Sequence, residues 1–233
     1  MKKVVVTALS VFGLSLVAAP ASADLIFTLD SASSLGSGNY GTVTVHQVAT
    51  DEVSVTVDLA SGVGFVNTGL QPFTFSLDSG IPALSASNFS NLTTGFAFNT
   101  TSPISNDGAG SFQYGLTCTA AVCGSGGNTP FVGPLTFDLT ATGLLETSFI
   151  SNGTATFAVD ICKNIASDGS CTAGANTGVA YGNTGSTTGG SGSTTGGPGT
   201  TTGGTVPEPA TLALLGFGLT LLALGGRLNS RRG

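Results

Sequence analysis

Five titratable side chains in predicted strands are the first candidates for chemistry in this chain. The single histidine, His46, lies in the alternating stretch Thr42–Gln47, on the side of the threonines and opposite the valines. Two carboxylates that face each other across a sugar perform glycoside hydrolysis, so a secreted hydrolase is one hypothesis. Four aspartates occupy polar positions of predicted strands: Asp58, Asp78, Asp138 and Asp160.

Other features favour a protein that is not an enzyme. Sugar hydrolases usually offer aromatic platforms, yet this chain has no tryptophan and only three tyrosines. We expect His46 to face solvent and interpret the four aspartates as solvated surface charge. The segment Gly36–Gly41 matches G-x-G-x-x-G, but a predicted strand follows it where a helix N-terminus would have to bind phosphate, so we interpret it as a hairpin or loop. We therefore predict no catalytic residue, no cofactor and no metal site.

The four cysteines form an even set: Cys118, Cys123, Cys162 and Cys171. Disulfides are expected in an exported chain, and three pairings are possible. We favour Cys118–Cys123 with Cys162–Cys171, since each pair brackets a short loop. A zinc site is the alternative, but zinc ligands are usually two to four residues apart on both sides, whereas the gaps here are four and eight residues.

The charges are distributed very unevenly along the chain. All twelve acidic residues lie between Asp24 and Glu208, and Lys163 is the only cation between Asp24 and Gly226. Nucleic-acid binding depends on clustered Lys and Arg, so this composition excludes nucleic acid as a partner. Neutral glycans and divalent cations remain compatible with it.

Alternation with a period of two predicts an all-β head over residues 24–181. Apolar or aromatic residues alternate with Thr, Ser and Asp in five stretches: 42–46, 53–59, 73–78, 135–139 and 155–161. Weaker candidates are 25–29, 96–98 and 112–116, and turn-forming residues occupy 36–39, 106–108, 124–128 and 168–169. Many short strands joined by glycine-rich turns predict an antiparallel β-sandwich or jelly roll. Phenylalanine is expected to supply much of its core.

Residues 182–205 contain only Gly, Thr and Ser apart from Asn183 and Pro198. A TTGG unit recurs at Thr187, Thr194 and Thr201. Because the segment has no apolar position, we predict a flexible linker.

The N-terminus has the three parts of a secretory signal peptide. Lys2 and Lys3 precede an apolar stretch, and Ala21 and Ala23 supply the small residues of a cleavage site. We predict a signal peptide over residues 1–23, cleaved between Ala23 and Asp24.

The C-terminus also has three parts. Val206, Pro207, Glu208 and Pro209 precede seventeen uncharged residues, 210–226, and the cations Arg227, Arg231 and Arg232 follow. As a helix, the uncharged segment reaches about 26 Å, at the short end of a transmembrane span. The arginines would stay on the cytoplasmic side.

This order over residues 206–233 resembles the PEP-CTERM sorting signal, also catalogued as the ice-binding protein C-terminal domain. The resemblance implies recognition by exosortase, a membrane protease and sorting enzyme. It also implies delivery to the cell surface or to an exopolysaccharide matrix.

The sequence therefore predicts an exported, non-enzymatic surface or matrix protein with a transient membrane anchor. Its expected role is structural or adhesive, in an exopolysaccharide or biofilm context. The alternative is a carbohydrate-binding or ice-binding module. An ice-binding face requires a regular threonine array, and the row begun by Thr42 and Thr44 continues imperfectly as Ser54 and Thr56. A secreted hydrolase is the third hypothesis.

Overall fold

A computed structural model describes residues 23–69, 71–99, 103–124, 129–171, 176–183 and 185–188. These residues form fourteen strands, one short helix and two 3₁₀ turns. The strands are β1 (Asp24–Ala32), β2 (Gly36–Ala49), β3 (Glu52–Leu59), β4 (Val63–Phe65), β5 (Phe73–Phe75), β6 (Phe89–Ser90), β7 (Phe96–Asn99), β8 (Ile104–Asn106), β9 (Gly110–Phe112), β10 (Tyr114–Cys118), β11 (Leu135–Thr140), β12 (Phe157–Lys163), β13 (Thr177–Gly182) and β14 (Gly185–Thr188). The helix is α1 (Ala120–Cys123), and the 3₁₀ turns are Ala86–Asn88 and Glu146–Ser148.

Twelve of these strands form one antiparallel sheet. Its main path is β6-β11-β3-β2-β1-β13-β12-β5-β10-β7, with β14 also paired to β1 and β4 also paired to β12. Strands β8 and β9 form a separate hairpin. The prediction of an antiparallel all-β head is confirmed. A sandwich or jelly roll would divide the strands between two sheets, whereas the hydrogen bonding here runs through one continuous sheet.

The sheet curls until its two edge strands approach each other. Phe89 on β6 and Phe98 on β7 have ring centroids 4.8 Å apart. In the connection between these strands, the Thr93 amide donates to the Thr136 carbonyl on β11 at 2.9 Å. The curled sheet encloses one main hydrophobic core.

Phenylalanine fills that core, as predicted. The Phe73 and Phe157 rings stack with centroids 5.6 Å apart, and the Phe75 and Phe137 rings stack at 6.3 Å. All four side chains are fully buried. Rings of this size contribute much of the apolar area that a domain removes from water.

The pairing of β2 with β3 explains the clearest alternation in the sequence. Val43 lies opposite Val57, and Val45 opposite Val55, with all four side chains buried. Between these pairs, Thr44 lies opposite Thr56 on the other face, and both threonines are partly exposed. One face packs on the core and the other meets solvent, as the period of two requires.

The prediction of a turn at Gly36–Asn39 was wrong. The chain reverses earlier, at residues 33–35, and β2 begins at Gly36, which pairs with Ala32. Ser34 adopts a positive φ of 64°, and the Tyr40 hydroxyl donates to the Leu35 carbonyl at 3.0 Å. Because the reversal is complete before the glycines, these residues pair in the strand.

The predicted linker begins too early. Gly182 is the last residue of β13, and a side chain there would overlap the Thr28 carbonyl of β1. Residues Gly185–Thr188 then form β14 against Asp24–Phe27. Backbone pairing needs no apolar side chain, so a Gly/Ser/Thr segment can still cover a strand edge. The head therefore extends to Thr188.

Candidate functional site

Most of the predicted sorting and export residues lie outside the described residues. This holds for the motif 206–209, the predicted helix 210–226, the arginines at 227, 231 and 232, and Ala21. Ala23 is the first residue described, directly before β1. Within the described ranges, no helix has both the length and the apolar character needed to cross a bilayer.

The two ends of the head lie side by side. In the register of β1 with β14, Asp24 is opposite Thr188. The predicted cleavage point before Asp24 therefore lies next to Thr188, the last residue that the structure describes. Asp24 also approaches His46 on β2, with 2.6 Å between Oδ1 and Nδ1. His46 is 48% exposed, so the prediction that it faces solvent is confirmed.

Three of the four candidate aspartates are at the surface but do not converge. Asp138 pairs with Ser54 across β11 and β3, and Asp58 lies four residues further along β3. This separates Asp58 from Asp138 by roughly 13 Å along the strands, beyond the 5–9.5 Å between glycosidase carboxylates. Asp78 follows β5 in a turn, where its Oδ1 accepts from the Gly80 amide at 2.8 Å.

The interpretation of Asp160 as solvated surface charge was wrong. This side chain on β12 is fully buried. Its Oδ2 accepts two hydrogen bonds from Thr68, from the amide at 2.9 Å and from the hydroxyl at 2.7 Å. Its Oδ1 has no hydrogen-bond partner among the described residues. Burial raises the pKa of Asp160 from 3.8 to about 6, although both Thr68 bonds act in the opposite direction.

The cover over Asp160 comes from the segment that joins β4 to β5. Both strands pair with β12, β4 at residues 161–163 and β5 at residues 157–158. The connection leaves the sheet between these pairings, and its Val66 amide donates to the Asp160 carbonyl at 3.0 Å. Val66 also packs with the buried Cys162 and Cys171. The outer face of β12 is therefore a second, smaller interior.

A buried polar network continues along this outer face. The Thr74 hydroxyl donates to the Ala158 carbonyl at 3.3 Å and accepts from the Asn106 side-chain amide at 2.9 Å. Asn106 Oδ1 in turn accepts from the Gln71 amide at 3.1 Å. Sequence reasoning missed the roles of Thr68, Thr74 and Asn106, because nothing local in the sequence shows that the β4–β5 connection, β5 and β8 come together beside β12.

The opposite part of the sheet has an open, hydroxyl-rich face. Thr44, Thr56 and Thr136 lie in one row across β2, β3 and β11. In the next row, Thr28 and Thr42 are followed by Asp58. We call this surface the open face; the Thr44–Thr56–Thr136 row is longer than the sequence indicated.

The disulfide prediction is confirmed. Cys118 is joined to Cys123, and Cys162 to Cys171. All four sulfurs are therefore unavailable as zinc thiolates. No group of three or more His, Cys, Asp or Glu side chains in the described part of the chain is arranged to hold a metal ion.

Comparison with known proteins identifies the C-terminal segment. A family profile of the PEP-CTERM protein-sorting motif matches residues 205–232. No curated protein and no solved structure is significantly similar to this chain. The motif implies an exported protein that an exosortase-type enzyme recognises and sorts. By its residues 205–232, the chain is a PEP-CTERM sorting domain-containing protein.

Proposed function

We propose that this chain is a non-enzymatic protein of the cell surface or extracellular matrix. In this proposal, the signal peptide is removed before Asp24 and the C-terminal helix anchors the precursor in the membrane. Exosortase-type processing near Pro207–Pro209 then releases the β-rich head. The observation that carries the proposal is the sorting-motif match at residues 205–232.

The role proposed for the head is structural or adhesive, in contact with exopolysaccharide. The separation of Asp58 from Asp138 supports a protein without hydrolase activity, as does the enclosure of Asp160 beneath a loop. The acidic composition favours a neutral partner over a polyanionic one. Lys163 is the only cation in residues 24–226, so little positive charge offsets the repulsion between this part of the chain and a polyanion. Two disulfides suit a domain that operates in an oxidising space.

The experiment is intact-mass analysis of the protein from its own cells, fraction by fraction. We expect a chain that begins at Asp24, is shortened at its C-terminus and lacks the four hydrogens lost in two disulfides. Glu208→Ala should retain the C-terminal segment and remain with the membrane fraction. Asp30→Ala, an exposed acidic position outside the motif, is the control and should be processed normally. A full-length chain with free thiols in the cytosol would contradict the proposal.

A second candidate is ice binding through the open face. The row formed by Thr44, Thr56 and Thr136 favours it, because neighbouring strands hold such hydroxyls about 4.8 Å apart. Ile26 and Asp58 interrupt the array. If the open face binds ice, the purified protein should shape ice crystals and Thr56→Tyr should abolish the effect. Ordinary crystal growth with the unaltered protein would remove this candidate.

A further inference from the structure

Two clefts share Gln113 in their walls, and we refer to the two clefts together as the Gln113 groove. The volumes are about 360 Å³ and about 280 Å³. Each is near the lower end of the range for small-ligand sites, about 300–1,000 Å³. The larger cleft is lined by Ala83, Leu84, Ser85, Ala86, Phe98, Asn99, Gln113 and Tyr114. The smaller cleft is lined by Ser76, Pro103, Ser111, Phe112, Gln113, Ile150, Ser151 and Asn152.

The walls of both clefts carry no charged side chain among the described residues. Their chemistry is aromatic, aliphatic, hydroxyl and carboxamide. Because the head is strongly acidic, this neutral lining makes the groove chemically different from the rest of the surface. A charged ligand would have no oppositely charged side chain to pair with in the groove. A neutral ligand with many hydroxyl groups could contact both apolar and hydrogen-bonding side chains.

Core packing fixes the aromatic rings of the larger cleft. The Tyr114 ring packs against the buried Phe75 with centroids 5.5 Å apart, and the Phe98 ring packs against Phe89 at 4.8 Å. Tyr114 and Phe98 lie 6.3 Å apart and are both partly exposed. Rings held in this way present apolar surface without losing side-chain entropy on binding. The C–H face of a sugar ring is a suitable partner for such a surface.

The side chain of Gln113 is oriented before any ligand arrives. Its Oε1 accepts from the Leu77 amide at 3.0 Å, and its own backbone amide donates to Ser76 Oγ at 3.2 Å. Its Nε2 and the Tyr114 hydroxyl have no partner among the described residues. In the smaller cleft, Asn152 is equally fixed, since its Nδ2 donates to the Ala109 and Ser111 carbonyls at 2.9 and 3.1 Å.

We propose that the Gln113 groove binds a neutral polysaccharide, with at least one sugar unit in each cleft and the Gln113 carboxamide between them. The identity of the ligand class rests on the proposed function, which places the head in an exopolysaccharide matrix. Tyr114 and Phe98 supply stacking surface, and Gln113 Nε2 and Tyr114 Oη bind sugar hydroxyls.

The test is native affinity electrophoresis of the mature chain purified from its own cells. The gels contain dextran, mannan or the neutral polysaccharide fraction extracted from the cells' own matrix, with alginate as the anionic comparison. Ala83→Arg and Ala86→Arg each place a long side chain in the larger cleft from an exposed position, so the core is not altered. Ala166→Arg adds the same charge at an exposed alanine that lines neither cleft and is the matched control. Thermal unfolding of each variant shows that it is folded.

We expect at least one neutral polysaccharide to slow the unaltered protein and the Ala166→Arg variant equally. Both cleft variants should bind at least tenfold more weakly. Because the chain has no tryptophan, tyrosine fluorescence gives a second readout, and the same polysaccharide should change the emission of Tyr114. In Tyr114→Phe that change should disappear while weaker retardation remains.

Three results would overturn the proposal: no retardation by any neutral polysaccharide, equal retardation of all variants, or retardation by alginate alone. Each leaves the proposed function intact if the chain is still processed and found in the matrix fraction. Conversely, a cytosolic full-length chain would overturn the proposed function whatever the groove binds.

Discussion

Strands β3 and β12 have similar sequence patterns but different surroundings. On β3, the inward residues Val55 and Val57 are fully buried, whereas Thr56 between them is partly exposed. On β12, Asp160 is as completely buried as its neighbours Val159 and Ile161. The same period of two thus corresponds to one solvent-exposed face on β3 and to no solvent-exposed face on β12.

Loops cause the difference. The connection between β4 and β5 and the loop closed by the Cys162–Cys171 disulfide both contact the outer face of β12. Thr56 lies instead in the middle of the open face, with Thr44 and Thr136 on the neighbouring strands. Alternation therefore predicts that a segment is a strand, but long-range loop packing decides whether its polar face meets water.

The largest effect expected is from Phe157→Ala, on the core side of β12. The Phe157 ring contacts Phe27, Phe73 and Phe149 with centroids 4.8, 5.6 and 5.2 Å away. Truncation leaves a cavity, so the free energy of unfolding should fall by about 3–5 kcal/mol. Urea unfolding followed by circular dichroism measures it. Phe89→Ala, at a partly exposed ring, is the control and should cost clearly less; equal losses would contradict the assigned core.

The next effect concerns the disulfide on the outer face of β12. Cys162 and Cys171 close a loop with a sequence separation of 9, and both are buried with Val66. Replacing both with alanine should lower the free energy of unfolding by about 3 kcal/mol, since the unfolded chain gains loop entropy.

The comparison for this prediction is the Cys118–Cys123 pair, whose separation of 5 gives a smaller loss, about 2 kcal/mol. Urea unfolding of the two double variants would rank them. If removal of the Cys162–Cys171 bond lowered the free energy of unfolding by less than removal of the Cys118–Cys123 bond did, the second interior over β12 would contribute little to stability.

The third prediction uses the pH dependence of Asp160. Its pKa is raised to about 6 in the folded chain, so folding favours the protonated form. The contribution of this preference to the free energy of unfolding is fully present at pH values below about 3.8 and is lost as pH rises through about 6. The carboxylate should therefore destabilise the head at pH 8, by at most about 3 kcal/mol for a shift of this size.

Asp160→Asn removes that charge and keeps an oxygen for the Thr68 donors. We expect a gain of about 2 kcal/mol in the free energy of unfolding at pH 8 and almost none at pH 3.5. Asp58→Asn, at an exposed position on β3, is the matched control and should change stability by less than about 0.5 kcal/mol. A loss of stability at pH 8 in Asp160→Asn would show that the carboxylate has a partner that favours its charged form.

The sequence predicted the strands better than their surroundings. Each of the five strongly alternating stretches overlaps a strand of the sheet, and both disulfides join the cysteines expected. These features depend on residues close together in the chain. β14 was missed because its pairing with β1 joins residues more than 150 positions apart, and a Gly/Ser/Thr composition carries no signal for such a contact.

Prediction of the candidate functional residues was limited in the same way, by contacts between distant parts of the chain. His46 was placed correctly because its strand has an open face, whereas Asp160 was misplaced because Thr68 and Val66 come from a distant connection. The Gln113 groove could not be predicted either. Its walls come from segments that are far apart in the chain, and their meeting is fixed only when the sheet curls.

The smallest effect expected is also the most direct test of the contrast between the two faces. Thr56→Val replaces a hydroxyl by a methyl group on the open face, where that hydroxyl has no partner among the described residues. The variant should unfold within about 0.5 kcal/mol of the unaltered protein, because valine suits a strand as well as threonine does. Thr74→Val makes the same chemical change on the covered side, where it removes the hydroxyl that accepts from the Asn106 side-chain amide and donates to the Ala158 carbonyl. That loss should be about 1–3 kcal/mol. Urea unfolding of both variants at one pH measures the difference, and equal stabilities would mean that the cover over β5 and β12 admits enough water to replace the hydroxyl.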